Sequence, residues 1–226
     1  MTCPAAAADT LPVLYSFRRC PYAMRARLAL RACGLPVRLR EVVLRQKPAA
    51  LLALNPAGTV PVLHGPQGLL LLHSLEIMRW AFAKQAPAGW WQPRSPAEVA
   101  LEAQWLHAND GDFKRALDGY KYPERHPSQS AQDWREQAVA GQLRPLEAQL
   151  QSHGQAHVWG AEPGLLDLAL WPFVRQFAQV DAAWWDRASG LDAVRAWLRR
   201  GLSGPLFESV MDKYPAWQPG DADVLF

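Results

Sequence analysis

Arg19-Cys20-Pro21-Tyr22-Ala23 is the stretch on which the reading of this 226-residue chain turns. Upstream of it, Leu11 to Ser16 reads as a strand and Phe17-Arg18-Arg19 as the loop that leaves it. Downstream, Pro21 to Cys33 reads as a helix: Met24, Leu28 and Ala32 recur four apart, with Arg27 and Arg31 on another face. Pro21 suits a first helical position, where its missing N–H has no partner to lose, and Gly34 supplies a stop. Cys20 then falls at the N-cap, where unpaired N–H groups and the helix dipole favour an anion and lower a thiol pKa. Arg18 and Arg19 add positive charge beside it. No second cysteine follows two residues on, so thiol chemistry here is monothiol and needs a small thiol as resolving partner. The competing reading is a buried apolar cysteine, the usual fate of a lone one.

Working outward, Val37 to Val43 reads as a second strand, parallel to the first by the crossover rule for a strand–helix–strand unit. Lys47 to Leu54 reads as a short helix. Val60 to Leu63 and Leu69 to Leu72 read as strands on either side of a Gly65-Pro66-Gln67-Gly68 turn. A helix opens at His73-Ser74, with Leu75, Met78 and Phe82 on one side, giving the order β-α-β-α-β-β-α. Pro61 inside a strand sacrifices a ladder hydrogen bond and demands a reason. Ser74 puts a hydroxyl and free backbone N–H groups at a helix start, an arrangement suited to a carboxylate, although a plain N-cap serine looks the same.

The pattern lapses between residues 86 and 96 into a linker rich in Pro, Gly and Trp. Ser95-Pro96-Ala97-Glu98 then forms a capping-box signature. Helical runs follow at 97–117, 131–152, 165–178 and 191–200, with nothing strand-like expected up to residue 226. The pattern is therefore an α/β N-terminal domain (11–85), a linker (86–96) and an all-helical C-terminal domain (97–226), and Cys20 at a helix start with Pro61 opening a later strand makes the first domain resemble the thioredoxin-like fold.

Net charge is +3 and no run of Lys and Arg forms a nucleic-acid arm. Arg18, Arg19, Arg25, Arg27 and Arg31 cluster loosely and read as a solvated helix face. Three cysteines, Cys3, Cys20 and Cys33, without a CxxC pair fit neither a disulfide framework nor a structural zinc site. Neither a secretory signal nor a stretch of about 20 apolar residues is present, so no membrane partner is expected and a reducing cytoplasm is the expected location. Eleven tryptophans are assigned to packing. Cys3 and Cys33 read as dispensable.

Residues 14–82 resemble the N-terminal domain of the glutathione transferase superfamily, nearest its cysteine-bearing branches, the omega-class enzymes and the large bacterial glutaredoxins. The resemblance rests on Arg19 to Ala23 with Arg25 to Leu30, on Asn55-Pro56-Ala57-Gly58-Thr59-Val60-Pro61-Val62-Leu63, and on Ser74. Gly164 to Pro172 resembles the family's internal helix-capping segment, with Asp167 as the capping carboxylate.

This resemblance implies a glutathione-dependent thiol transferase or reductase. Cys20 is then the catalytic cysteine that forms a mixed disulfide with glutathione. Tyr22, Lys47, Val60, Pro61, His73 and Ser74 are implied to surround glutathione: Lys47 near the glycyl carboxylate, Val60 on the cysteinyl backbone ahead of a cis-proline, and Ser74 on the γ-glutamyl carboxylate. His73 departs from the family, which carries Glu or Asp there to meet the γ-glutamyl ammonium. Trp105, Phe113 and Tyr120, with His107, Lys114 and Tyr122, fall where the family binds its small electrophilic or disulfide substrate, although their helical spacing suits core or dimer packing equally. A homodimer is implied by the family, while large glutaredoxins are monomeric. Two other functions stay open: conjugation by glutathione's own thiolate, with Tyr15 or Ser16 as hydroxyl donor, and a non-catalytic binding role on the same fold.

Overall fold

The computed structural model describes residues 10–90, 92–93, 95–152 and 156–226. Cys3 lies outside the described residues, as do Trp91 and Arg94 of the expected linker. The chain divides into two compact units, one running to Ala88 and taking in Pro205–Phe226, the other Gly89–Gly204.

In the first unit β1 (Val13–Ser16), α1 (Pro21–Ala32), β2 (Arg38–Glu41), α2 (Ala49–Leu54), β3 (Val62–His64), β4 (Leu70–Leu71) and α3 (Ser74–Gln85) follow one another in the expected order. β1 is buried along its whole length and runs parallel to β2 and antiparallel to β3. β3 starts at Val62, opposite Tyr15, one residue past Pro61, which has no N–H for the ladder.

Two expectations are corrected. Arg25 and Arg27 do not lie on a solvated face: each is 1% exposed. Helix α1 packs on α3 and on α11 (Pro205–Ser209), and Pro21 and Ala23 to Leu30 are all buried. A helix covered on several sides forces its arginines to find partners inside the protein. Nor is the chain all-helical from residue 97 to its last residue. After α11 it runs on to β5 (Val224–Leu225), which joins the edge of β2 in antiparallel register and gives the sheet order β4-β3-β1-β2-β5. Phe226 and Val37 exchange backbone hydrogen bonds of 2.8 and 2.9 Å, Asp223 meets Arg38 at 3.0 Å, and the Arg31 guanidinium lies 4.0 Å from the centre of the Phe226 ring.

The second unit is helical. Helix α4 (Pro96–Ala108) passes through a π-turn, Asn109–Phe113, into α5 (Lys114–Lys121). Helix α6 (Ala131–Ala138) passes likewise through Val139–Leu143 into α7 (Arg144–Ser152). Helices α8 (Leu165–Ala178), α9 (Ala182–Arg187) and α10 (Asp192–Leu202) follow. Ser95 Oγ accepts from the Glu98 N–H, as the capping signature requires. Helix α8 is buried nearly all round, and Trp134, Trp171, Trp185 and Trp197 are core residues.

Two buried carboxylates hold helix starts. Asp167 accepts from Gly164 N–H (2.9 Å), Val158 N–H (3.1 Å) and Trp197 Nε1–H (2.7 Å). Glu147 accepts from Ala193 and Val194 N–H (3.0 and 2.8 Å) in the first turn of α10. Asp167→Ala strands three buried donors and is expected to cost at least about 3 kcal/mol, at about 1–3 kcal/mol for each unsatisfied group. Urea denaturation measures this, and Asp167→Asn, which keeps one oxygen, is expected to lose less.

Candidate active site

Cys20 occupies the N-cap of α1 with extended backbone angles (φ −76°, ψ 123°). Its N–H donates to Phe17 O (3.0 Å) and its carbonyl accepts from Met24 N–H (2.8 Å). Both bonds are independent of the side chain, so the thiol is aimed by backbone geometry. It is half-buried, packs on the cluster of Val13, Tyr15, Val42, Leu51, Val60 and Val62, and its Sγ lies 3.8 Å from Val60 O, a weak S–H donor contact. Cys33 differs in every respect. It is buried at the other end of the same helix, and burial pushes its thiol up to about 11.

The Val60–Pro61 peptide is cis. The loop before it is closed by Asn55, whose Nδ2 donates to Thr59 O (3.1 Å) and Thr59 Oγ1 (2.9 Å) and whose carbonyl accepts from Gly58 N–H (2.8 Å). Gly58 has φ +62°, and Lys47 lies across it: a Cβ there would stand 2.7 Å from Lys47 Cδ and 2.8 Å from Nζ. The Lys47 ammonium thus lies against the loop that carries Val60.

Ser74 opens α3 and is buried, its Oγ accepting from Arg25 Nε (2.9 Å). That bond uses an oxygen lone pair and leaves the hydroxyl proton free to donate. The Arg25 guanidinium lies 5.0 Å from the centre of the Tyr22 ring, so Tyr22, Arg25 and Ser74 join the helix of Cys20 to the start of α3. His73 is exposed at the N-cap, and the Glu76 carboxylate folds back to accept from Leu72 and His73 N–H (both 3.1 Å).

Arg25, Arg27, Glu41 and Trp217 were not singled out by the sequence. The available signal was the helix itself, since Ala23, Ala26, Leu28, Ala29 and Leu30 surround its arginines with apolar residues on every side. Arg27 donates to Ser16 Oγ and Arg18 O (both 2.8 Å), and Glu41 lies 3.7 Å from it and accepts from Arg18 N–H. Burial pulls the Arg27 guanidinium down to about 10, against the opposing pull of Glu41 and Cys20. Burial likewise raises Glu41 above the ordinary carboxylate range, opposed by the Arg18 N–H and by Arg27. Trp217 packs on the same apolar cluster as Cys20, and its backbone N–H donates to the Glu41 backbone carbonyl (2.8 Å).

Of the residues expected around a second substrate, Phe113 and Tyr120 are buried with ring centres 5.8 and 5.2 Å from Phe177, within the core of the helical unit. Trp105 and Tyr122 are half-buried, His107 is exposed, and Lys114 pairs with Asp118. Among the described residues no group of three or more His, Cys, Asp and Glu side chains is placed to hold a metal ion, and no helix is long and apolar enough to cross a membrane.

A five-stranded sheet with a cysteine at the first helix start, facing a cis-proline loop, defines the thioredoxin-like class. Residues 14–89 match the glutathione S-transferase N-terminal domain and residues 103–200 the glutathione S-transferase C-terminal domain. The chain belongs to the glutathione S-transferase superfamily. It is 31% identical to pyrimidodiazepine synthase of Drosophila melanogaster over 178 residues, 73% of this chain and 64% of that protein. It is 38% identical to glutathione S-transferase omega-1 of Sus scrofa over 71 residues, 31% of this chain and 30% of that one. The chain thus aligns with less than two thirds of either relative. Its fold is shared with glutathione transferase Omega 3C of Trametes versicolor (TM-score 0.73, 21% identity, 91% of this chain and 87% of that one).

Gly58→Ala is expected to cost about 1–3 kcal/mol, because the left-handed backbone at Gly58 strains any residue with a Cβ, while the end of the Lys47 side chain has to swing aside. A thermal melt without ligand measures it, and an unchanged midpoint would refute this account of the loop.

Proposed function

We propose that this protein is a glutathione-dependent thiol transferase or reductase in which Cys20 is the nucleophile. The observation that carries the proposal is the placement of Cys20 at a helix N-cap with Sγ 3.8 Å from Val60 O, ahead of cis-Pro61. The helix start favours the thiolate. Glutathione fits the surrounding groups: Val60 offers backbone to its cysteinyl unit, the Ser74 hydroxyl a donor to its γ-glutamyl carboxylate, and the Lys47 ammonium a charge for its glycyl carboxylate. In the first step the Cys20 thiolate attacks the glutathionyl sulfur of a mixed disulfide. The Cys20–glutathione disulfide forms as the old S–S bond breaks, and the substrate leaves as its thiolate. A second glutathione thiolate then attacks that adduct, releasing glutathione disulfide and restoring the Cys20 thiolate. A homodimer in a reducing compartment is part of the same proposal.

Conjugation by glutathione's own thiolate finds less support in the two hydroxyls nearby. Tyr15 and Ser16 are fully buried at the end of β1 and accept from Arg40 (2.7 Å) and Arg27, whereas Cys20 is the residue at the helix start.

The test is the intact mass after incubation with glutathione disulfide. One glutathionyl unit on wild type, lost in Cys20→Ser, is expected. No uptake, or equal uptake by the variant, overturns the mechanism and favours conjugation or a binding role. Restoring a carboxylate with His73→Asp is expected to tighten glutathione binding by up to about fivefold, the worth of one exposed ion pair of about 1 kcal/mol. Calorimetric titration measures it, and unchanged affinity would mean that the γ-glutamyl ammonium is met elsewhere.

A further inference from the structure

We infer that the buried pair Arg27 and Glu41 are positioning residues for Cys20, which clamp the loop that presents the thiol and set the charge it experiences. This rests on the proposal that Cys20 is the nucleophile. The Arg18 peptide, two residues before Cys20, is held from both sides: its carbonyl accepts from Arg27 Nη2 (2.8 Å) and its N–H donates to Glu41. Arg27 Nη1 also ties the loop's origin through Ser16 Oγ (2.8 Å). A third hold comes from the C-terminal segment. Arg18 Nη1 donates to Met211 O (3.4 Å), and the Trp217 backbone N–H donates to the Glu41 backbone carbonyl (2.8 Å). Seven residues separate Cys20 from Arg27, two turns along one helix face, and a helical side chain leans toward the N-terminus, so the guanidinium returns to the loop that Cys20 ends.

The two charges have opposite electrostatic effects at Cys20. The Arg27 guanidinium and a Cys20 thiolate stabilise one another. Glu41, 3.7 Å from Arg27, offsets part of that field. Other charged or titratable groups on the elements around this loop include Arg18 and Arg19 in the loop itself, Tyr15 in the cluster that Cys20 packs on, Arg25 on α1, Lys47 beside Gly58, and Tyr214 of the C-terminal segment, which lies within electrostatic range of Arg27. Arg27 is as deeply buried as Arg25, and it is also hydrogen-bonded into the loop and 3.7 Å from a carboxylate, so solvent screens its charge little.

A clamp without an electrostatic role predicts that any change to either residue loosens the loop in the same way. The pair described here predicts opposite signs. The test is the rate at which iodoacetamide alkylates Cys20 between pH 5 and 9, followed by intact mass with Cys20→Ser as blank, in wild type, Arg27→Gln, Arg27→Lys and Glu41→Gln. In each case the thiolate displaces iodide and forms a thioether. The wild-type midpoint is expected below about 8.5, the value of a free thiol. Arg27→Gln is expected to raise it by about one unit, a roughly tenfold loss of thiolate at neutral pH, and Arg27→Lys to restore most of the shift. Glu41→Gln, which keeps an oxygen for the Arg18 N–H, is expected to lower it, and carries the test should Arg27→Gln fail to fold. Arg27→Gln and Glu41→Gln moving the midpoint in the same direction, or neither moving it, overturns the inference. If wild type still takes up one glutathionyl unit at Cys20, that result leaves the Cys20 mechanism standing. A wild-type midpoint near that of a free thiol, together with no glutathionyl uptake, overturns both.

Discussion

A full positive charge is buried in the first unit, and the surroundings of the candidate site are arranged to accommodate it. Arg27 is 1% exposed, and an unpaired buried guanidinium is ruled out on energetic grounds. Its partners are the groups that shape the approach to Cys20: the Ser16 hydroxyl at the end of β1, the Arg18 carbonyl in the loop, and Glu41 at the end of β2. Removing one partner of such a pair costs about 3–5 kcal/mol because the other charge is left stranded. The constraint therefore links stability to site geometry, since a loop that moved away from Arg27 would expose the guanidinium to that penalty. A neighbouring arginine repeats the device. Arg25 is equally buried and is bonded to Ser74, at the start of α3.

These two arginines divide the site between them. One fixes the loop that ends in the thiol; the other fixes the hydroxyl proposed to hold a carboxylate. Between them the Asn55–Thr59 loop brings Val60 to Cys20, with Lys47 against Gly58. The C-terminal segment closes the sheet edge at β2 and fastens to Arg18 and Glu41 on the way. The residues that orient the thiol thus come from four separate stretches of chain, while the thiol itself is placed by the backbone of one.

What was legible in the sequence was local. Pro21 after Cys20 marked the start of α1 and Gly34 its end, because each residue limits its own backbone; Pro61 marked a strand position short of a hydrogen bond, and the strand itself begins one residue later. The order of strands and helices was readable from short local patterns and Ser95 from its capping box, while the role of Asp167 came from the resemblance of its segment to the family's. What was not legible depended on distant partners. Arg25 and Arg27 are polar positions on α1, and their enclosure depends on elements far along the chain, with Ser74 receiving Arg25 and Glu41 meeting Arg27. Val224–Leu225 is too short to carry an alternating pattern and is a strand because β2 offers it an open edge. The π-turns inside the two long helical runs have no compositional mark, and the spacing of Phe113 and Tyr120 does not reveal their ring contacts with Phe177.

The Cys20 thiol, held at the helix start beside Val60, is the atom proposed to bond to glutathione. A crystal structure of the protein treated with glutathione disulfide tests it most directly. Continuous density from Cys20 Sγ to a glutathionyl sulfur, with the cysteinyl backbone beside Val60 and the γ-glutamyl carboxylate at Ser74, is the result the account predicts. A glutathionyl unit on Cys3 or Cys33, or glutathione bound with a free thiol turned away from Cys20, would contradict it.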